Sequence, residues 1–417
     1  MNPNVEDESE PTDPEGMKGT RQPSAAPASP GPPEVLASFT DREWHPVTAG
    51  ANAAEEDRAS AGRVRAGLGE ELGNILNAET LVVLAGLGTS LGIRQTDGSK
   101  DAPTMAALWD DVATLAEFQA ATPQLGADLV ARQNLEHVLS DAQARNALAP
   151  TPELGAFIVA AERVVLNRCS FVVQDTDVSA HELFLRKVAR RSVRLQRMQL
   201  FTTNYDLAFE AAARRARFNV IDGFGYGGLE FDGGSFDLDY VRRRPHEQLA
   251  LEPSVFHLLK LHGSVDWSLT GRTVVKTAQR PATPVLIYPS VAKYQLSYQQ
   301  PYLEFMSRFQ IALRQSDVGL IVVGFGFNDE HINAPIEAAL RSNVGLRAVV
   351  VTPGARAERR SKPIAWIESL IEQGDRRLSM FTGTFDDLVQ HLPDAPAREE
   401  REEHVQRITS VLGGSSR

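Results

Sequence analysis

The sequence predicts an α/β domain built on a Rossmann-like parallel sheet with helices on both faces. Two observations carry that reading. In the second half of the chain, the near-continuous apolar runs MQLFTT, VFHLLKL, PVLIYP, VGLIVVGF and LRAVVVTP alternate with helical runs such as YDLAFEAAARRARF, PYLEFMSRFQIALRQ and PIEAALRS, the pattern of strands buried on both faces. Four apolar runs also end in short turns rich in Gly, Ser, Thr, Asn or Asp, namely LAGLGTS, FTTNYD, LLKLHGS and VVGFGFND. Open α/β sheets bind ligands just past the carboxyl ends of their strands, where these turns fall.

The elements follow in order. The first 34 residues hold seven acids, two bases and eight prolines with no aromatic, a composition that buries too little apolar surface to offset ordering entropy. Residues 1–58 are therefore expected to be a disordered acidic, Pro-rich tail, and 59–395 the folded domain. A helix over VRAGLGEELGNIL leads into the strand TLVVLAG. Residues 94–197 contain helical spacing near TMAALWDDVATLAEF, ELGAFIVAAERVVLN and HELFLRKVARRSVRLQ but no convincing strand, so they read as a helical insertion layer. After the alternating half, a strand at RLSMFTG and a helix at FDDLVQHL close the domain, and 396–417 reads as a charged C-terminal tail.

Composition narrows the function classes. The chain of 417 residues has one cysteine, Cys169, which excludes a disulfide framework and any Cys-based zinc site and fits a reducing compartment. No apolar stretch reaches the roughly 20 residues that span a bilayer, and MNPNVEDESEP is acidic where a secretory signal is basic and then apolar. A cytoplasmic protein without a membrane partner is expected. The formal net charge of −11 argues against direct nucleic-acid binding.

Each turn has a chemical and a structural reading. In LAGLGTSLGI, Gly86 and Gly88 can let the backbone approach a pyrophosphate while Thr89 and Ser90 supply hydroxyl and amide donors; an ordinary strand-to-helix turn explains them equally. The spacing through Gly92 is G-x-G-x-x-x-G, not the dinucleotide fingerprint, and no acid ends a strand about 20 residues later. In FTTNYD, Asn204 and Asp206 either cap the following helix or hold ribose hydroxyls and orient a water. In LLKLHGS, His262 follows an apolar strand and precedes Gly263 and Ser264, a place for a general base or for a histidine that merely satisfies turn backbone. His257 is expected on the opposite sheet face as a structural residue. In VVGFGFNDEHIN, Gly324 and Gly326 form a flexible turn, Asn328 and Asp329 can bind a ribose or adenine edge or cap a helix, and His331 reads as a surface residue. The arginines of RKVARRSVRLQR and VRRRP can contact phosphates, but read first as solvated faces or a partner surface. Trp109, Trp267 and Tyr288 read as core or pocket wall.

Taken together, the motifs resemble the sirtuin superfamily, in particular its bacterial sirtuin-like branch of anti-phage defence. FTTNYD is similar to the sirtuin T-Q-N-I-D motif, LKLHGS to L-H-G, and GLGTS to G-A-G-I-S, over roughly Thr80 to Val351. Two departures are informative. The zinc ribbon of protein-deacylating sirtuins needs four cysteines, and the continuation G-I-P-D-F-R is replaced after Gly92 and Ile93 by RQTDGSKDAPTM.

The resemblance thus implies a sirtuin-like fold without a zinc ribbon and an NAD hydrolase that releases nicotinamide and ADP-ribose. It implies Asn204 and His262 as the catalytic pair with Asp206 supporting the ribose, and a nucleotide held by Gly86, Gly88, Thr89, Ser90, Thr203, Gly263, Ser264, Gly324, Phe325 and Asn328. NAD is the substrate; no further cofactor and no metal are implied. A homo-oligomer, a HerA-class ATPase or DNA translocase as partner, and NAD depletion in abortive infection are the expected biology. The alternative is a non-catalytic NAD- or ADP-ribose-sensing module that regulates a partner ATPase.

Overall fold

A computed structural model of the chain describes residues 32–95, 102–225, 229–243, 248–277, 281, 284–286, 300–358 and 360–394. The expected tail up to residue 31, the charged tail of 396–417 and Tyr288 lie outside the described residues. Along the chain run strands β1 (Glu34–Leu36), β2 (His45–Pro46), β3 (Thr80–Ala85), β4 (Gln199–Thr202), β5 (Asn219–Ile221), β6 (Val241–Arg242) and β7 (Ala250–Leu251). They continue with β8 (Val255–Lys260), β9 (Gly263–Thr270), β10 (Thr273–Lys276), β11 (Pro284–Leu286), β12 (Val318–Val323), β13 (Leu346–Val351) and β14 (Leu378–Phe381). The helices are α1 (Glu55–Leu76), α2 (Met105–Ala113), α3 (Ala116–Ala121), α4 (Ala127–Arg132), α5 (Leu135–Leu148), α6 (Pro152–Cys169), α7 (Ser179–Val188), α8 (Ala208–Ala216), α9 (Tyr302–Leu313), α10 (Glu330–Ser342), α11 (Lys362–Glu372) and α12 (Phe385–His391).

Nine strands form one sheet in the order β2-β1-β14-β13-β12-β3-β4-β8-β5. From β14 to β5 every neighbouring pair is parallel, as the alternating pattern predicts. The chain leaves β3 toward β4 on one side and later returns to lay β12 on the other. That reversal puts a topological switch point at the carboxyl ends of β3 and β12, the place where such sheets take ligands.

Strand side chains alternate between two cores. Leu81, Val83 and Ala85 of β3 join the layer containing α1, α7, α8 and α12, whereas Val82 and Leu84 join the layer containing α9, α10 and α11, the period of two that a strand imposes. All five are 0% exposed, and full burial of each Val or Leu contributes about 1.5–3 kcal/mol. A third core unites α2 to α6 with Tyr205 and Val265. The helical layer therefore packs on the two turns that carry Asn204 and His262. Its helices start where sequence provides caps: Thr104, Asn134 and Thr151 each accept a hydrogen bond from the backbone N–H three residues on.

Three expectations are corrected. Glu34–Leu36 and His45–Pro46 fall within the segment read as a tail, yet β1 pairs antiparallel with β14 and Val35, Leu36 and Val47 are fully buried. The short apolar run EVLASF completes the sheet edge, a tertiary effect that the Pro-rich composition around it conceals. Pro284–Leu286 is not a strand of the parallel sheet; it pairs antiparallel with β9 in a three-stranded sheet β10-β9-β11. Proline lacks the N–H that a central strand must donate, so it stands on an edge. Finally, α7 stops at Val188, short of the helix expected over HELFLRKVARRSVRLQ. Arg191 is turned inward to donate to the Ala78 carbonyl, and Arg197 donates to Asp239 at 2.9 and 3.0 Å, so these arginines serve the fold. In VRRRP, Arg242 pairs with Glu252 at 3.5 Å.

Candidate functional site

The register of the sheet brings the four motifs to one level. Ala85 lies opposite Val323 on one side and Thr202 on the other, and Thr202 lies opposite Lys260. Gly86, Thr203, Leu261 and Gly324 therefore leave the sheet together. Asn204 and His262 each stand two residues beyond a paired position on adjacent strands, whose axes are about 4.8 Å apart.

The two glycine turns fit against each other. Gly86 N–H donates to the Val323 carbonyl at 3.0 Å and Gly88 N–H to the Gly324 carbonyl at 2.9 Å. A Cβ on Gly88 would fall 2.5 Å from Gly324 Cα, and one on Gly86 would fall 2.6 Å from the Gly324 oxygen. Gly324 has φ +64 and faces the Thr89 amide. The glycines are thus required by contact between the two turns at the switch point, a packing reason that spacing alone does not separate from ligand approach. The amides of Thr89 and Ser90 donate to the carbonyls of Gly86 and Leu87, so these two are spent inside the turn.

Asn204 is 7% exposed, and its hydrogen bonds fix its amide. Thr89 Oγ1 donates to the Gly86 carbonyl at 2.9 Å, and Ser90 Oγ donates to Asp206 Oδ2 at 2.8 Å. Both hydroxyls have given their proton elsewhere, so each accepts from Asn204 Nδ2, at 3.1 and 3.0 Å. Both amide protons are then used, and Oδ1 is the atom of Asn204 left to meet a water or a sugar hydroxyl, as an acceptor. Asp206 takes Ser90 on Oδ2 and the Ala208 amide on Oδ1 at 2.9 Å. Here it holds the first amide of α8, close to the capping role its spacing allowed, and it also anchors the Asn204 network. Thr203 continues the edge, its amide donating to the Ala85 carbonyl at 3.1 Å.

His262 is 2% exposed. Leu261 N–H donates to the Thr202 carbonyl at 2.8 Å, which seats the histidine beside the Asn204 turn. Gly263, at φ +91, lets the chain pass at once into β9, a conformation that disfavours any side chain. Ser264 Oγ then meets Asp266 Oδ1 at 2.5 Å, and Val265 N–H donates to the Tyr205 carbonyl at 3.0 Å.

The fourth turn gives mixed results. Phe325 is 4% exposed and belongs to the core on the α9–α11 side, whereas Asn328 is exposed at the edge. Asp329 precedes α10, its carbonyl accepting from the amides of Ile332 and Asn333. His331, expected on the surface, is half-buried, with Nε2 3.3 Å from His262 Nε2 and the rings stacked at 5.4 Å between centroids. The spacing F-N-D-E-H marks only a helix start; the contact arises because α10 begins beside β8's turn. Lys260, also unmarked by motif reading, is 3% exposed and donates to the Tyr205 carbonyl at 3.3 Å, the Asp206 carbonyl and Glu210 Oε1 at 3.0 Å.

Neighbouring groups fall into place. His257 lies against Phe236 at 5.5 Å, and burial followed by the nearby Arg308 lowers its pKa to about 4, in keeping with a structural role. Trp267 and Trp109 are core residues. Among the described residues, no group of three or more His, Cys, Asp or Glu is placed to hold a metal ion, and no helix is long and apolar enough to cross a membrane.

No curated protein matches the chain. Residues 199–372 match the family model described as the SIR2-like domain, a span that opens on β4 and closes at the end of α11. It therefore includes the turns of Asn204, His262 and Gly324 and leaves out the Gly86 turn and the helical layer. SIR2-like domains are NAD-dependent enzymes, and the chain, similar to that family over residues 199–372, is on this ground tied to NAD-related activity in general.

Proposed function

We propose that the chain is an NAD glycohydrolase that cleaves the nicotinamide–ribose bond to give nicotinamide and ADP-ribose. The observation that carries this is the convergence of Asn204 and His262 at one carboxyl edge, with every hydrogen of the Asn204 amide already committed. Nicotinamide leaves a cationic pyridinium as a neutral molecule, so its departure needs no general acid. What remains is an oxocarbenium-like ribose that water must trap. Asn204 Oδ1 is an acceptor suited to hold the water or the 2′-hydroxyl, and His262 takes the proton released as the new C–O bond forms. The switch-point turns at Gly86–Ser90 and Gly324–Asn328 restrain the nucleotide so that the reacting ribose stays in register.

NAD is substrate here, and the chemistry calls for no metal. The biological setting proposed is depletion of NAD on phage infection by an oligomer working with a HerA-class ATPase, a reading that rests on the resemblance to the bacterial sirtuin-like branch. The test is to incubate the purified chain with NAD, alone and with candidate ATPase partners, and to chromatograph the products beside Asn204→Ala and His262→Ala. Nicotinamide and ADP-ribose formation abolished by either substitution is the expected result. Release that survives both would overturn the site, and tight NAD binding without release under every condition would favour the sensing module instead.

A further inference from the structure

Lys260 is the last residue of β8, an interior strand of the parallel sheet between β4 and β5, and its side chain is 4% exposed. Such a position ordinarily takes an apolar residue, because an ammonium removed from water must find every hydrogen-bond acceptor within the protein. Lys260 finds three for its three protons: the carbonyls of Tyr205 and Asp206, and Glu210 Oε1. Glu210 alone would neutralise the charge. The two carbonyls belong to the turn that carries Asn204 and Asp206, so the lysine does more than complete an ion pair.

The contacts form a continuous path. Lys260 holds the main chain of Asp206, the Asp206 carboxylate holds Ser90, and Ser90 holds the Asn204 amide. Two residues beyond Lys260, past the end of β8, stands His262. A single buried cation thereby ties the β4 turn to the β8 turn. Glu210, in the first turn of α8, has its carboxyl raised above the ordinary range by burial, with Lys260 the main opposing influence; it is the counter-charge that lets the lysine stay in place.

We infer that Lys260 is a positioning residue of the site, which fixes the Asn204–Asp206 turn against His262 through the Tyr205 and Asp206 carbonyls. The inference rests on the hydrolase reading for its kinetic consequence and not for its structural one. A misplacement of about 1 Å in a reacting group can cost on the order of 10²-fold in rate, and that is the loss expected in kcat.

The decisive variant is Lys260→Met/Glu210→Leu. Truncating the lysine alone strands a buried carboxyl and risks unfolding, whereas replacing both members by apolar residues of similar size removes the charges together. The double variant is expected to keep a cooperative thermal transition, to bind ADP-ribose within about threefold of the wild type by calorimetry, and to lose on the order of 10²-fold in kcat with KM little changed. Its crystal structure is expected to show the Tyr205–Asp206 peptides displaced and the Asn204 contacts to Thr89 and Ser90 broken. Wild-type kcat in the double variant, or an Asn204 network unmoved in its crystal structure, would overturn the inference. If the wild type itself releases no nicotinamide, the hydrolase reading fails, and the crystal structure of the double variant still decides the role of Lys260.

Discussion

His262 Nε2 lies 3.3 Å from His331 Nε2, and two imidazole nitrogens at that distance share one proton between them. If His262 donates it, His331 accepts and leaves the far nitrogen of His262 with its lone pair, in the tautomer a base requires. His331→Phe keeps a stacked ring but removes the acceptor. The expected outcome is a fall in nicotinamide release of about 10²-fold, the scale of an acid–base contribution, with the unfolding midpoint in urea little changed. Full turnover in this variant would mean that His262 needs no such partner.

The Gly88–Gly324 contact predicts the effect of a single methyl group. In Gly88→Ala the new Cβ would lie 2.5 Å from Gly324 Cα, a main-chain atom that cannot rotate away. Overpacking of this kind costs about 1–3 kcal/mol. Separation of the two turns should also weaken ADP-ribose binding, so a urea titration and calorimetry are expected to move together. A variant of normal stability and normal affinity would remove the switch-point turns from the binding site.

How much of this was legible in the sequence depends on the range of the interaction. The parallel strands could be read because their apolar runs are local, and the edge position of Asn204 and His262 follows from where those runs stop. β1 could not be read: three residues amid prolines join the main sheet through β14, more than 300 residues away in sequence. His331 and Lys260 were missed for a related reason. A histidine after F-N-D-E and a lysine inside L-L-K-L carry no spacing signal, and their roles exist only once α10 and the β4 turn are brought against β8. The glycine turn was half legible, since the spacing excluded the dinucleotide fingerprint without showing that Gly324 is what Gly86 and Gly88 approach.

Cys169 is predicted to be inert. It is 7% exposed at the end of α6, and its pKa is pushed up to about 12, first by burial and then by the negative charge of Asp206. The thiolate is the reactive form, and it is scarce at pH 8. Alkylation by iodoacetamide at that pH should therefore be at least about 10²-fold slower in the folded protein than in urea. Rapid labelling of the native chain would place the thiol in a different environment from the one described.

The most acid-sensitive group in the fold is predicted to be His181, which is 1% exposed between Phe209 and Phe385, at centroid distances of 4.9 and 4.8 Å. Neither ring nitrogen has a hydrogen-bond partner among the described residues, and burial lowers its pKa to about 3, with Asp177 opposing weakly. The folded state thus keeps His181 neutral where the unfolded chain, with a histidine pKa near 6.5, takes up a proton. Below about pH 6.5 the unfolded state binds more protons, so stability is complete above that pH and falls progressively toward pH 3. His257, lowered to about 4, adds to the same slope. His181→Phe fills the same aromatic pocket without an ionisable group and removes two buried polar atoms. Its urea midpoint at pH 7 is expected to equal or exceed that of the wild type, and the advantage in unfolding free energy should widen by about 2 kcal/mol on going to pH 5. An advantage that does not grow as the pH falls would show that His181 is not the group that titrates.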